Sequence, residues 1–332
     1  MSWVGPVYRA PPGGYKAAVR LGQVLSVSIV ACSAIAVAAS PAASVDDEPC
    51  FGAVVRDPER TCAPPASPLS VTPDPATAAS LRGAPCTFVE KVEGFSVCAF
   101  GAPAEEAVAT VALVGDSHAS QWRGALDVVA RAKGWWALSM MRSSCPLSKA
   151  VRLLAEPKFS ACRRWKALVF RWFASHPEVE TVFVAGLTGG SGVRPSRGRT
   201  EFGTAVAGFR RAWAALPPTV RRIVVIRDTP KTRADVTTCV QRAVAAGRPP
   251  GDACATDRRE SLDPDPAIAA ARRWPTARVR TVDLTRYFCG PRRCYPVIGG
   301  ALVLRDQHHM TATYAATLGP LLLREIDLML AT

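Results

Sequence analysis

From Val108 to the C-terminus, short apolar runs alternate with longer amphipathic stretches. Runs such as 108–115 and 135–141 have the length and apolar character of buried strands, and stretches such as 119–133 and 158–176 repeat apolar residues at helical spacing. Because strands that are separated by helices pair in parallel through right-handed crossovers, this alternation predicts a doubly wound α/β sheet. The further predicted elements are strands at 179–187, 222–226 and 279–284, and helices at 202–216, 264–274 and 312–330.

The N-terminal segment has the charge pattern of an exported or single-pass chain. Arg9, Lys16 and Arg20 precede an apolar run at 21–39, and residues 46–48 are acidic. A positive flank before the run and an acidic flank after it predict that the C-terminal part lies outside the cytoplasm. We therefore expect a basic cytoplasmic N-terminus at 1–20 and a single transmembrane anchor or signal segment at 21–43.

Three fates of this apolar segment remain open from the sequence. The run is just long enough to span a bilayer, which favours an anchor. Residues 42–44 resemble a signal-peptidase site, which would give a secreted protein. Cys32 ends a run that resembles a lipoprotein signal, although the residues after it stay apolar. A gene model that lacks upstream membrane helices is a further alternative.

The cysteines support export. The chain has 11 cysteines, and those other than Cys32 fall along it as close neighbours. Such clustering favours short-loop disulfides, although the sequence alone permits other connectivities. A metal site would need C-x-x-C pairs or His/Cys clusters, and the sequence has neither. The predicted pairs are Cys50 with Cys62, Cys86 with Cys98, Cys145 with Cys162, Cys239 with Cys254, and Cys289 with Cys294.

Residues 44–106 are rich in Pro, Ala and Ser, most densely at 63–75. This composition disfavours a packed helix or sheet. We therefore predict a spacer at 44–106 that two disulfides keep partly compact, followed by the α/β domain at 107–332.

Ser117 directly follows the first predicted strand of this domain, in the run Gly115-Asp116-Ser117-His118. A serine at this position stands at the carboxyl edge of the sheet, near a helix N-terminus that favours a developing negative charge. It is therefore a candidate nucleophile. Serine is equally common as a helix N-cap, and this motif alone does not separate the two roles.

Asp306 and His309 lie just before the last predicted helix, in a loop that holds two of the chain's four histidines. A serine hydroxyl needs a base at neutral pH, and an imidazole base needs a carboxylate on its other ring nitrogen. Asp306 and His309 are three residues apart and can meet in this way. A polar loop of this kind is also common as a surface or capping feature.

Together, the run at 115–118 and the Asp306-x-x-His309 loop resemble the SGNH hydrolase superfamily. More narrowly, the chain resembles the SGNH domain at the C-terminus of membrane acyltransferases that O-acylate cell-envelope polysaccharides, over about residues 107–330. Further runs that carry this resemblance are 144–146, 227–230 with Cys239, 282–284, 289–294, 297–300 and 311–314.

The resemblance implies a flavodoxin-like three-layer fold, with Ser117 as nucleophile, His309 as base and Asp306 as the residue that orients the base. His308 falls on a position that the family does not use, and we expect His118 to make a local hydrogen bond at the helix start. The family's oxyanion-hole asparagine cannot be present, because the chain contains no Asn.

The region that would carry this asparagine is the loop after the strand at 179–187. We expect the Gly186 N–H or the Thr188 hydroxyl to replace it, with the Ser117 N–H as the other oxyanion donor.

By resemblance, the expected activity is extracytoplasmic O-acyl transfer to a cell-envelope glycan through an acyl-serine. A separate membrane acyltransferase would supply the acyl group, and no metal or organic cofactor is needed. A carbohydrate O-acetylesterase with the same residues and a non-catalytic glycan-binding or scaffold protein are the alternatives. The formal net charge of +14 belongs mostly to an exported domain, so nucleic acid is not an expected partner.

Overall fold

The computed structural model describes residues 50–63, 67–81, 83–188, 192–274 and 276–331. The predicted cytoplasmic segment at 1–20, the apolar segment at 21–43 and Cys32 all lie outside these ranges. No helix within the described ranges is long and apolar enough to cross a membrane.

The described residues form a mostly parallel sheet of seven strands in the order β1-β2-β4-β3-β5-β6-β8. Strands β4, β3, β5, β6 and β8 are parallel neighbours, and this order is that of a flavodoxin-like doubly wound sheet. The strands are β1 Thr87–Val92, β2 Phe95–Gly101, β3 Ala109–Gly115, β4 Trp135–Met141, β5 Val179–Ala185, β6 Arg222–Ile226, β7 Thr256–Asp257, β8 Val279–Val282, β9 Arg293–Cys294, β10 Val297–Ile298 and β11 Ala301–Leu302.

Helices connect the parallel strands and cover both faces of the sheet. They are α1 Ser117–Gln121, α2 Arg123–Lys133, α3 Lys158–Ser175, α4 Glu201–Ala214, α5 Val236–Ala245, α6 Pro250–Ala253, α7 Arg258–Ser261, α8 Pro266–Arg272, α9 Ala312–Thr317 and α10 Gly319–Leu330. Short 3-10 helices lie at Gly52–Arg56, Ala78–Ser80, Ala104–Glu106 and Thr285–Tyr287.

The central strand β3 shows why the chain forms layers. Alternate side chains point to opposite faces of a strand, so Val111 and Leu113 enter the core under α2, α9 and α10. Ala112 and Val114 enter the core under α3, α4 and α8. All four side chains are almost fully buried, which explains why the strand is a continuous apolar run.

The boundary predicted at residue 107 differs from the structure. β1 and β2 form an antiparallel hairpin, and β2 extends the sheet by pairing with β4. Phe95 and Val97 of β2 pack into the core that contains α3, so part of the predicted spacer belongs to the domain. The Pro-rich run at 63–75 dominates the composition of this region, so composition alone does not indicate the two short strands that follow it.

The segment around Cys50 also packs onto the domain. The Gly52 N–H donates to the Gly299 carbonyl at 3.0 Å, and Arg324 of α10 pairs with Asp57. The chain before β1 therefore contacts the C-terminal part of the fold.

The described chain contains the five disulfides that the cysteine spacing predicted. Each joins neighbours in sequence, with separations from 5 to 17 residues. Such bonds form and persist in oxidising compartments, so they indicate a domain outside the cytoplasm.

The disulfide with the longest loop should contribute most to stability. Restriction of the unfolded chain predicts that Cys145→Ala/Cys162→Ala lowers the free energy of unfolding by about 3 kcal/mol, whereas Cys289→Ala/Cys294→Ala lowers it by about 2 kcal/mol. Denaturant titration of the three proteins measures the difference. Unchanged stability in the first double variant would contradict it.

Candidate active site

Ser117 lies at the carboxyl edge of the sheet, where β3 ends and α1 begins. Asp116 caps α1, because its carboxylate accepts from the His118 N–H at 2.9 Å. The same carboxylate accepts from the Leu187 N–H at 3.1 Å, in the loop after β5. At Gly115, strands β3 and β5 approach so closely that a Cβ on this residue would lie 2.0 Å from the Ala185 carbonyl oxygen. These contacts hold the start of α1 against the neighbouring strand.

Ser117, His309 and Asp306 form a hydrogen-bonded chain. Ser117 Oγ lies 2.9 Å from His309 Nε2, and His309 Nδ1 lies 2.8 Å from Asp306 Oδ2. The loop that carries the last two residues is closed by the Thr311 N–H, which donates to the Val303 carbonyl at 2.9 Å. The structure therefore brings together the three residues that the sequence selected from opposite ends of the domain.

Asp306 is held as a carboxylate. Burial acts to raise its pKa, but hydrogen bonds from the His309 ring and from the backbone N–H groups of His308 and His309 outweigh burial and lower the pKa below its usual range. An ionised Asp306 accepts the Nδ1–H of His309, which leaves Nε2 of that ring free to accept a proton from Ser117.

A second hydrogen-bonded chain runs beside the first. The ring of His118 is fully buried and lies 2.5 Å from Asp228 Oδ1 through Nδ1, and 3.0 Å from His308 Nδ1 through Nε2. Asp228 follows β6 and also accepts from the Thr188 N–H at 2.8 Å. The expected local hydrogen bond of His118 at the helix start is made by its backbone N–H, which donates to Asp116. Its ring instead contacts Asp228, at the end of β6.

The pKa values of His118 and His308 are shifted in opposite directions. Burial acts to lower the pKa of His118, but the Asp228 carboxylate raises it by more. Burial lowers the pKa of His308, and a protonated His118 lowers it further. These shifts favour a protonated His118 that donates to both Asp228 and His308 Nδ1, so His308 carries its own hydrogen on Nε2.

A cavity of about 290 Å³ lies beside His118 and His308. His118, His308 and Thr229 line it. Lys231 and Asp263 also line it and form an ion pair, in which Lys231 Nζ lies 2.8 Å from Asp263 Oδ1. Its wall therefore offers hydrogen-bond donors and acceptors close to one another. The cavity can accommodate a small polar group next to the histidines.

The loop after β5 is bound to the two buried carboxylates. Thr188, a predicted oxyanion donor, gives both its N–H and its hydroxyl to Asp228 Oδ2, at 2.8 and 3.1 Å. Gly186, the other predicted donor, packs against Pro146 and the Asp116 carboxylate.

One ring nitrogen each of His118, His308 and His309 lie within 4.8 Å of one another, the only such metal-capable group in the part of the chain that the structure describes. Nε2 of His118 and Nε2 of His309 already have hydrogen-bond partners in His308 and Ser117. A metal ion bound through these two atoms would have to replace these hydrogen bonds, so we describe the three rings through the bonds that they form.

Asp228 and Gln121 are site residues to which the sequence assigned no role. Gln121 Nε2 donates to Thr229 Oγ1 at 3.1 Å, and its Oε1 accepts from the Met310 N–H at 2.7 Å. It therefore ties α1 to the loop of His309. The run at 227–230 carried part of the family resemblance, but only the fold shows that Asp228 faces His118.

Comparison with known proteins agrees with this architecture. The family model "SGNH domain (fused to AT3 domains)" matches residues 85–324. The periplasmic domain of a lipopolysaccharide acetyltransferase from Salmonella ser. Paratyphi A has a similar fold, with a TM-score of 0.51 and 14% sequence identity over 67% of this chain and 85% of that chain. No curated protein matches the sequence significantly. The chain belongs to the SGNH domain family that this model describes.

Proposed function

We propose that this protein is an extracytoplasmic serine acyltransferase that transfers an acyl group to a hydroxyl of a cell-envelope glycan. The acyl group that we expect is acetyl. The observation that carries the proposal is the chain of hydrogen bonds from Ser117 through His309 to Asp306. Membership of the SGNH family and the disulfides support the reaction class and the compartment. By family analogy, a membrane acyltransferase supplies the acyl donor.

In the first step, His309 Nε2 takes the hydroxyl proton while Ser117 Oγ attacks the acyl carbonyl carbon. The resulting oxyanion needs hydrogen-bond donors. The Ser117 N–H is one, and because Thr188 already gives both its donors to Asp228, we favour the Gly186 N–H as the second. His309 then passes its proton to the leaving group, and an acyl-serine remains.

In the second step, the acceptor binds beside His308, whose side chain lines the polar cavity, and its hydroxyl approaches the acyl-serine. His309 takes its proton as the acceptor oxygen attacks the acyl carbon, and the released Ser117 Oγ recovers a proton from His309. The Nε2–H of His308 can hold the acceptor in place. Water in the same position would make the protein an esterase, so the choice of acceptor separates the two activities.

Ser117→Ala should abolish acyl-enzyme formation. With p-nitrophenyl acetate, intact-mass spectrometry of the wild type should detect an acetylated protein, and the variant should give no adduct and no nitrophenol burst. Ser120→Ala, in the same helix, is the matched control and should behave as the wild type. An equal burst from Ser117→Ala would remove the catalytic assignment and favour a non-catalytic glycan-binding or scaffold protein.

Asp306→Asn should lower kcat/KM for the ester by roughly 10²–10⁴-fold, because His309 loses the carboxylate that orients it and stabilises its charged form. The pKa of Asp306 is depressed, so the carboxylate is already ionised above its ordinary pKa of 3.8. Because Asp306 stays ionised in the wild type between about pH 5 and pH 8, the variant should remain less active than the wild type throughout this range. An activity ratio of variant to wild type that approaches one within this range would contradict the role.

His308→Gln should impair the second step more than the first. Loss of one hydrogen bond to the acceptor predicts about a tenfold fall in acyl transfer to polyol acceptors such as methyl glycosides and glycerol. Rapid-quench kinetics measure the acyl-enzyme formation rate, and mass spectrometry measures the ratio of acylated acceptor to free acid. An equal loss in both steps would contradict a role for His308 in acceptor binding.

A further inference from the structure

A second cavity, of about 500 Å³, lies between the loop at 148–152, α3 and Arg194. None of the described residues that line it is acidic, whereas half of them are cationic. We call it the basic pocket, and its cationic residues are Lys149, Arg152, Arg163, Lys166 and Arg194. Phe159 and Val151 give the same cavity an apolar part.

Most of these cations lack a carboxylate partner. Within the described ranges, Lys149, Arg163, Lys166 and Arg194 form no ion pair, although cations elsewhere in the domain, such as Arg324 and Lys231, do. Arg152 is the exception, since the charges of Asp116 and Glu201 act on it from outside the pocket lining. The pocket therefore concentrates positive charge that the protein leaves largely unbalanced.

Lys166 experiences this imbalance most directly. It lies in the middle of α3, and burial together with the positive charge of Arg152 lowers its pKa to about 8. Both effects disfavour the ammonium form. An anion in the pocket would supply the missing countercharge and favour that form again.

The basic pocket also lies near the candidate active site. An intermediate cavity shares Ser148 and Arg152 with the basic pocket, and it shares Leu187 and Thr188 with the polar cavity beside His308. The basic pocket and the polar cavity are therefore each adjacent to the intermediate cavity, whose described lining also includes Glu201. This proximity matters for acyl transfer only through the proposed function, whereas anion binding does not depend on it.

We infer that the basic pocket binds a phosphate group that belongs to a larger molecule. The guanidinium groups of Arg163 and Arg194 can pair with phosphate oxygens in two-point geometry, and the ammonium groups of Lys149 and Lys166 add point charges. The volume exceeds what a bare anion needs, and the apolar side chains leave room for the group that carries the phosphate. Such phosphates occur as phosphodiesters in anionic envelope polymers and as lipid headgroups.

The full-length protein tests this assignment by calorimetric titration with inorganic phosphate at constant ionic strength. Arg163→Gln/Lys166→Gln should weaken phosphate binding at least tenfold. Lys158→Gln/Arg164→Gln removes the same charge from the same helix outside the pocket lining and should leave binding within twofold. Equal weakening in both double variants, or no binding by the wild type, would overturn the proposal.

A second measurement locates the bound anion. Phosphate should raise the pKa of Lys166 in a heteronuclear NMR titration of the side-chain amine, and chloride at the same ionic strength should not. An unchanged pKa would place any bound phosphate elsewhere and overturn the assignment.

The source of the phosphate is decided by two further ligands. Diglycerol phosphodiester represents the polymer, and vesicles of phosphatidylglycerol compared with phosphatidylcholine represent the lipid. Pocket-dependent binding of either supports the site and identifies its carrier. Because Ser117→Ala should bind phosphate as the wild type does, failure of the proposed acyl transfer would leave this result unaffected.

Discussion

Two buried carboxylates organise the edge of the sheet on which the candidate active site depends. Asp116 follows β3, caps α1 and binds the Leu187 N–H, while Asp228 follows β6 and binds Thr188 and the ring of His118. Backbone N–H groups at the end of a parallel sheet lose their ladder partners, and buried donors need replacements. The carboxylates fill this role for three neighbouring loops at once, and Ser117 directly follows one of them in sequence.

Two hydrogen-bonded networks that contain histidines lie side by side at this edge of the sheet. His309 faces Ser117 and is oriented by the half-exposed Asp306, whereas His308 faces the polar cavity and is held through His118 by the buried Asp228. Because the His309 ring bonds to Asp306 and the His308 ring is linked to Asp228 only through His118, adjacent residues in one loop belong to different hydrogen-bonded networks. The loop therefore directs one histidine to Ser117 and the other to the polar cavity.

The prediction from sequence was most accurate where local physics decides the outcome. The strands at 135–141 and 222–226 match β4 and β6 residue for residue, because continuous apolar runs have few alternatives in a buried sheet. The helix predicted at 312–330 is two helices, α9 and α10, that meet at Leu318. The hairpin of β1 and β2 was missed, since short strands after a Pro-rich run show their role only when they pair with β4.

From the sequence alone, periodicity indicated the α/β class, the spacing of the cysteines favoured the disulfide pairs, and the motifs around Ser117, Asp306 and His309 indicated the family. Only the tertiary structure decided that Asp228 partners His118, that Thr188 is bound to a carboxylate, and that cations from separate segments surround one cavity. Residues far apart in sequence meet where the strand order brings their loops together. No local pattern in the chain specifies which of them will touch.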